Sequence, residues 1–207
     1  MVKVSNVIPI PIFKAAAESA KRIRQYAEQS IERSKKTSAE TESYPMLLKK
    51  LFRNDENGLT DGDIVNNSLA FIVAGSDTTA NTMTYLTWAV CKHPEVQSSL
   101  VEELSGLPLD FSEQHLRGLI CLNNVIKETL RLYCAAPSAL PRVVPTAGVE
   151  FLGHRLPAGT IISTQAYTLH RNPEIFPDPE AFDPNRWSSL TRAMKDSYMP
   201  FGGGSRG

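Results

Sequence analysis

The sequence predicts a mainly α-helical protein with a small β-sheet, and three observations support this class. Up to about residue 135, apolar side chains recur three or four positions apart, which is the period of a helix. After Pro145, short segments bounded by Gly and Pro replace that period, as is typical of strands. The composition, 42% hydrophobic and 21% charged, is ordinary for a globular protein. We therefore expect one fold over residues 1–207, helical in 1–135, with strands, a meander and a glycine-rich loop in 136–207.

Charge and hydropathy exclude two classes of function. Lys plus Arg and Asp plus Glu both number 22, so nothing in the net charge favours nucleic acid as a partner. The longest strictly apolar run, LAFIVA at residues 69–74, is far shorter than the roughly 20 residues that a membrane-spanning helix requires. The amino-terminal MVKVSNVIPIPIF contains two prolines and no small-residue cleavage site, which makes it a poor secretory signal. We expect no nucleic-acid partner and no transmembrane segment.

The cysteines and histidines do not form a metal-binding pattern. Cys91, Cys121 and Cys134 have spacings that match no zinc or redox motif, and we expect them to be buried as small apolar residues. None of the four histidines has the i, i+4 spacing that places two imidazoles on one face of a helix. A metal site built from these side chains is therefore disfavoured.

The first hundred residues predict two long helices. One apolar stripe among charged residues indicates a helix over 13–36, and a polar loop is expected over 35–44, a short helix around 46–52 and a turn at Asn57-Gly58. Thr60, with Asp63 three residues later, predicts a helix start and Pro94 a stop. A single helix from Asp61 to Lys92 would be about 48 Å long. Its apolar middle is expected to be buried. The nearby carboxylate of Asp77 would then lower the stability of the fold, unless it is hydrogen-bonded or has a function.

In the rest of the chain, predicted helices are followed by short strands and then by a proline-rich meander. Helices are predicted over 94–104 and along the apolar positions 119, 122, 126, 130 and 133, ending before Pro137. Short strands are predicted over 149–152 and 155–164, forming one small sheet. Four prolines over 173–184 predict a meander that is neither helix nor central strand, and FGGGSRG predicts a flexible final loop.

Four motifs follow one another along the chain. They are A-G-x-D-T-T at 74–79, E-x-x-R at Glu128 and Arg131, F-x-P-x-R-W at 182–187 and F-x-x-G-x-R at 201–206. The E-x-x-R pair alone is uninformative, since an exposed pair at this spacing is common and contributes only about 0.2–0.5 kcal/mol. The final loop also matches G-x-S-x-G and G-x-G-x-x-G. The first pattern needs an acid and a histidine after Ser205, and the second needs a strand before it and a helix after it, so both are disfavoured.

In combination and in this order, the four motifs resemble the cytochrome P-450 family, the haem-thiolate monooxygenases, over essentially the whole chain. The similarity is to the carboxy-terminal half of the fungal, membrane-bound branch. It implies a partial cytochrome P-450 fold with a long central helix, an E-x-x-R helix, short strands and a proline-rich meander. It also implies haem (iron protoporphyrin IX), O2, a small apolar organic substrate, and electrons from NADPH through NADPH-cytochrome reductase, with cytochrome b5 as a further donor. The implied location is the cytosolic face of the endoplasmic reticulum membrane.

The resemblance also implies roles for particular residues. Asp77 and Thr78 would deliver protons. Haem would contact Ala74, Gly75, Arg142, Phe201, Gly204 and Arg206. A buried charge network would join Glu128, Arg131 and Arg186. The substrate pocket would be lined by Phe71, Ala136, Pro137, Ser138, Ala139 and Leu140.

One departure from the family pattern is expected to matter. The pattern requires the iron-ligating Cys two positions after Arg206, and the sequence ends at Gly207. Cys134 lacks the glycine-rich loop of that ligand and is not expected to replace it. We therefore expect the chain as written neither to hold haem tightly nor to catalyse. Two alternatives remain open: a non-catalytic truncated or degenerate copy, and an α/β-hydrolase that uses Ser205.

Overall fold

The computed structural model describes residues 11–38 and 60–203, apart from the side chains of 11–13, 16, 34–38 and 61. This part of the chain is mainly helical with small antiparallel sheets, which confirms the predicted fold class. It forms two units that divide inside one long helix, the first ending at Asp77 and the second beginning at Thr78. The units are considered separately below.

Helix α1, Pro11–Ser38, lies in the first unit and confirms the first predicted helix. Of its apolar stripe, Ala27 and Ile31 are buried, whereas Ile23 is exposed. The predicted loop over 35–44 is wrong at its start, because residues 35–38 continue the helix. Neither Gly nor Pro interrupts this stretch, and lysines are favourable in a last helical turn. The helix and turn expected over 46–58 lie outside the described residues.

Helix α2, Asp61–Lys92, has the predicted bounds. Its first turn is closed by a capping box, in which the Thr60 hydroxyl accepts from the Asp63 amide at 3.2 Å and the Asp63 carboxylate accepts from the Thr60 amide at 2.9 Å. The Thr60 hydroxyl also donates to the Asp63 carboxylate at 2.6 Å, and this bond, followed by the one from the Thr60 amide, lowers the pKa of Asp63 below its usual value. None of the helices described is both long enough and apolar enough to cross a bilayer.

The expectation that the apolar middle of α2 is buried is wrong for the described structure. Phe71 is 49% exposed and Val73 is 44% exposed, because the described part of the first unit does not cover this side of the helix. Asp77 is exposed as well, so its carboxylate carries no burial cost. Its predicted role therefore depends on the family resemblance and not on desolvation.

Three helices follow in the second unit: α3, Pro94–Ser105, α4, Glu113–Gly118, and α5, Ile120–Leu132. The first and third were predicted. The amino terminus of α5 is capped by Glu103 of α3, whose carboxylate oxygens accept from the amides of Cys121 at 2.8 Å and Leu122 at 2.9 Å. A carboxylate satisfies free amides at a helix start and interacts favourably with the helix dipole. Helix α3 thus fixes the start of the helix that carries Glu128 and Arg131.

The strands form two separate sheets, which corrects the single sheet that was predicted. Strand β1, Ala139–Val143, pairs antiparallel with β4, Ile161–Gln165, and places Arg142 opposite Ile162. Strand β2, Val149–Phe151, pairs with β3, His154–Leu156. The turn between β2 and β3 has positive φ at both Leu152 and Gly153, as tight hairpin turns require. Strand β1 was not predicted, because Pro141 argues against a strand unless the strand lies at an edge.

Short elements complete the second unit: α6, Ala166–Leu169, a 3-10 helix, Pro184–Ser188, and α7, Arg192–Ser197. Between α6 and the 3-10 helix the chain forms the predicted meander, without an α-helix or strand. Two hydrophobic clusters stabilise the second unit. One contains Ala89, Val125, Leu132 and Phe182, and the other Phe176, Trp187 and Met194.

The three cysteines differ in burial. Cys134 is buried and Cys121 is half-buried, but Cys91 is exposed near the end of α2, so the prediction is wrong there. The core side of that end of α2 is taken by Ala89, with Leu86 and Val90 beside it. Cys91 therefore lies away from the packed face.

Candidate functional site

A buried charge network lies at the centre of the second unit. Glu128 and Arg131, one turn apart on α5, both have fully buried side chains. Two parallel bonds join them, from Arg131 Nε to Glu128 Oε2 at 2.9 Å and from Arg131 Nη2 to Glu128 Oε1 at 2.8 Å. Arg186 of the 3-10 helix donates from Nε to Glu128 Oε1 at 2.9 Å. The structure thus brings together the three residues for which a network was expected.

The remaining polar atoms of the network bond to the meander and its surroundings. Arg131 Nη1 donates to the carbonyls of His170 at 2.7 Å and Pro179 at 2.6 Å. Glu128 also accepts from the indole N–H of Trp187 at 2.9 Å and from the Asp183 amide at 3.0 Å. Buried charges are tolerated when their hydrogen-bonding capacity is used in this way. Because the meander has no strand partner, these bonds fix its path against α5.

His170, which follows α6, is a second buried polar residue in this region. It is fully buried, and its Nε2 accepts from the Met199 amide at 2.9 Å. An amide can only donate, so the ring proton lies on Nδ1, which donates to the Arg131 carbonyl at 3.0 Å. Burial, which disfavours the charged imidazolium, lowers the pKa of His170 to about 4. The imidazole is therefore neutral at neutral pH.

A cavity of about 540 Å³ lies beside this network, within the second unit. Three stretches of the chain contribute most of its wall, namely α2 after Asp77, the segment that leads into β1, and the residues after Met199. The lining residues are Thr78, Thr79, Thr82, Met83, Leu130, Ala135, Ala136, Leu140, Arg142, Pro200, Phe201, Gly202 and Gly203. Most of this wall is apolar, and Arg142 is the one charged side chain among the described residues that line it.

The predicted site residues divide into three groups. Thr78, Ala136, Leu140, Arg142 and Phe201 meet in the cavity wall. Pro137, Ser138 and Ala139 are not among its lining residues. The Pro137 carbonyl instead accepts from the Tyr167 amide at 3.3 Å.

The remaining predicted residues lie either in the first unit or outside the described residues. Phe71, Ala74, Gly75 and Asp77 belong to the first unit, where all four are exposed. Gly204 and Arg206 lie outside the described residues, as does Ser205 of the hydrolase alternative.

A sequence model of the Cytochrome P-450 family matches residues 1–207. The chain belongs to this family. It is 47% identical, over 99% of its length, to Cytochrome P-450 monooxygenase tazI of Aspergillus terreus, and 46% identical, over 96%, to Cytochrome P-450 monooxygenase orf2 of Aspergillus niger. It is also 35% identical, over 96%, to cyclooctat-9-en-7-ol 5-monooxygenase of Streptomyces melanosporofaciens. These relatives are longer, since the alignments cover 43%, 41% and 44% of their lengths.

Membership of the cytochrome P-450 family implies a haem, and the cavity wall fits such a group. Apolar side chains suit a flat hydrophobic ring, and the guanidinium of Arg142 suits its carboxylates. Gly202, with φ +88°, presents backbone to the cavity. Cys134 is not among the lining residues, and its thiol donates to the Pro200 carbonyl at 3.0 Å.

Sequence reasoning missed three residues that position this P-450 site. A signal for Trp187 is present in the sequence, because Trp187 lies in the same motif as Arg186. No sequence signal indicates Glu103 or His170, since their hydrogen-bond partners are backbone groups 18 to 39 positions away. Such contacts are determined by tertiary structure and leave no local pattern.

Proposed function

We propose that the full-length gene product is a haem-dependent monooxygenase. It inserts one atom of O2 into a small apolar organic substrate, and its electrons come from NADPH through a reductase. The observation that most supports this is the meeting of Thr78, Arg142 and Phe201, from three distant segments of the chain, in one apolar cavity wall. Monooxygenase names among the relatives support the same reaction class.

When bound, haem supplies the redox-active iron that activates O2. The chain's own residues bind and orient this group. We assign Arg142 and Arg206 to its carboxylates, because a guanidinium can meet a carboxylate with two parallel bonds. By resemblance to the family, Ala74 and Gly75 would allow haem to approach α2, because their side chains are small or absent, and Phe201 and Gly204 would be the haem-contacting residues of the loop.

Proton delivery is assigned to Asp77 and Thr78. Asp77 is exposed, so its carboxylate exchanges protons with solvent. Thr78 lines the cavity, and its hydroxyl can accept a proton while donating its own. A proton taken up at a carboxylate oxygen of Asp77 would pass through Thr78 Oγ1 into the cavity, which is the task of a general acid.

The cavity wall favours an apolar substrate. Substrate binding would depend mainly on the exclusion of water from apolar surface. That surface is provided by Met83, Leu130, Ala136 and Leu140. The remaining pocket residues implied by the resemblance, Phe71, Pro137, Ser138 and Ala139, stay assigned to the substrate side. The Streptomyces relative is named for cyclooctat-9-en-7-ol, and an apolar substrate here would be of the same general character.

Partners and location follow from the same proposal. Electrons would come from NADPH-cytochrome reductase, with cytochrome b5 as a further donor. The protein would work at the cytosolic face of the endoplasmic reticulum membrane.

The proposal is tested on the full-length gene product with NADPH, reductase and a panel of apolar compounds. Replacing Thr78 by Ala removes the hydroxyl, so we expect kcat to fall at least tenfold while haem content stays unchanged. Thr78→Ser keeps the hydroxyl and is expected to retain most of the activity. Absence of haem from the wild-type protein, or equal kcat in the wild type and Thr78→Ala, would contradict the proposal.

A further inference from the structure

We propose that His170 is a positioning residue that fixes the segment Tyr198–Pro200, and with it the loop that begins at Phe201, to the end of helix α5. The inference rests on the proposed function, in which this loop contacts haem. Its structural part concerns contacts that exist without haem and can be tested without it.

Side chains join three consecutive residues of this segment to α5 and the residues just after it. Tyr198 Oη donates to the Lys127 carbonyl at 3.3 Å. The His170 ring bridges the Arg131 carbonyl and the Met199 amide at 3.0 Å and 2.9 Å. Cys134 Sγ donates to the Pro200 carbonyl at 3.0 Å. Lys127 and Arg131 are four residues apart on α5, and Cys134 lies two residues beyond its end, so the three contacts lie along the last turns of the helix and the residues that follow it.

The central contact lies one residue before the cavity wall. Met199 immediately precedes Pro200 and Phe201, which both line the cavity wall. On the other side, His170 is bonded twice to Arg131, since Arg131 Nη1 also donates to the His170 carbonyl at 2.7 Å. The imidazole therefore connects the buried charge network to the cavity wall through one side chain.

Only the neutral imidazole can make both ring contacts. Protonation would turn His170 Nε2 from an acceptor into a donor. The ring N–H and the Met199 N–H would then point at each other with no acceptor between them. The ionisable groups that face the ring are Arg131, Arg171 and Glu128, and the Tyr198 ring stacks on it at a centroid distance of 5.4 Å. The two cations and the burial of the ring disfavour the imidazolium, and the carboxylate favours it.

The direction of the pH dependence follows from this chemistry. The pKa of His170 lies at about 4, below the ordinary value of 6.5. In the folded protein the Met199 contact is therefore intact at pH 6.5 and above. It is lost as the pH falls through about 4, where half of the imidazole rings are protonated.

The first experiment uses hydrogen exchange of the Met199 amide in this chain at pH 7, without haem. In His170→Leu the acceptor is gone, and we expect exchange at Met199 to accelerate at least tenfold relative to the Val125 amide inside α5. His154→Leu, which alters an exposed histidine of β3, is the matched control and should leave Met199 unchanged. Equal protection of Met199 in the wild type and His170→Leu would overturn the proposal.

The second experiment uses the haem-loaded full-length gene product and His170→Gln, whose amide oxygen can still accept from Met199 but does not titrate. The fraction with thiolate-type optical spectra is followed from pH 7 to pH 3. We expect a reversible loss in the wild type and in His154→Gln, with a midpoint near the pKa of His170, and at least a tenfold smaller loss in His170→Gln at pH 4. An identical acid transition in His170→Gln would overturn the proposal. Failure of the full-length protein to bind haem would count against the proposed function alone, because the exchange experiment does not depend on haem.

Discussion

The carboxylate of Glu128 is fully buried and receives hydrogen bonds from the side chains of Arg131, Arg186 and Trp187. These donors come from α5 itself and from the 3-10 helix almost sixty positions further along the chain. The network therefore holds two distant segments together. Removal of one charge would leave the groups that bonded it buried with part of their hydrogen-bonding capacity unused, which is far more costly than the loss of an exposed ion pair.

This residue-scale argument predicts a large difference between two arginines. Arg131→Gln should lower the free energy of unfolding by about 3–5 kcal/mol. The matched control is Arg117→Gln on α4, because Arg117 also bonds a glutamate of its own helix but has a side chain that is 76% exposed. Its loss should cost less than about 0.5 kcal/mol. Urea denaturation followed by tryptophan fluorescence measures both, and similar losses in the two variants would contradict the burial argument.

The sequence predicted the residues of this network but not their surroundings. A Glu and an Arg one helical turn apart can equally well form an exposed pair, as Glu113 and Arg117 do at a spacing of four. The two pairs differ in burial, because the meander covers Glu128 and Arg131 but not Glu113 and Arg117. The importance of His170 is likewise visible only once Met199 has been placed beside it.

At the scale of elements, α5 is positioned at both ends by groups outside it. Glu103 of α3 caps its start, and the contacts of Arg131 and Cys134 fix its end. The predicted apolar stripe of α5 is only half-buried. The fully buried side instead carries Val125, Glu128, Thr129 and Arg131. Hydrophobic periodicity located the helix but indicated the wrong face, because the buried face is rich in polar residues that find partners.

The cap predicts a specific effect of Glu103. Glu103→Gln removes the charge at the start of α5 and one of two good acceptors, so the free energy of unfolding should fall by about 1 kcal/mol. Burial, and to a lesser extent the negative charge of Glu103, raise the pKa of the Cys121 thiol. The same variant should therefore lower that pKa and speed modification of Cys121 by a thiol reagent at pH 8.

The control for this prediction is Glu102→Gln, which changes an exposed neighbour on the same helix. It should alter neither stability nor the reactivity of Cys121. If both variants behaved alike, the cap would not be responsible for the effect.

Element prediction succeeded where the local signal was strong. Helix α2 was correct at both ends because Thr60, Asp63 and Pro94 are specific start and stop signals. The short helices α4, α6 and α7 have six, four and six residues, too few to show a period. Exposure of Phe71 and Val73 was not predictable either, since a uniformly apolar segment does not indicate which neighbours will cover it.

At the scale of the whole molecule, the order of four motifs was sufficient to predict the cytochrome P-450 family. That prediction depends on residue identities along the chain and not on packing. It therefore succeeded where the predictions of buried helix faces and of individual strands failed. The structure adds the cavity, whose wall is assembled from segments more than a hundred positions apart. The assignment of individual residues to haem, protons and substrate remains a proposal.

The most direct test of the central claim is the amount of haem bound per chain in the full-length gene product, measured by its carbon monoxide difference spectrum. We expect one haem per chain with a thiolate-type spectrum in the wild type. Leu140→Glu places a charge in the cavity wall and should weaken haem binding at least tenfold, whereas Ile161→Glu, at an exposed position of the partner strand β4, should bind as the wild type does. Equal haem binding by the two variants, or none by the wild type, would contradict the account.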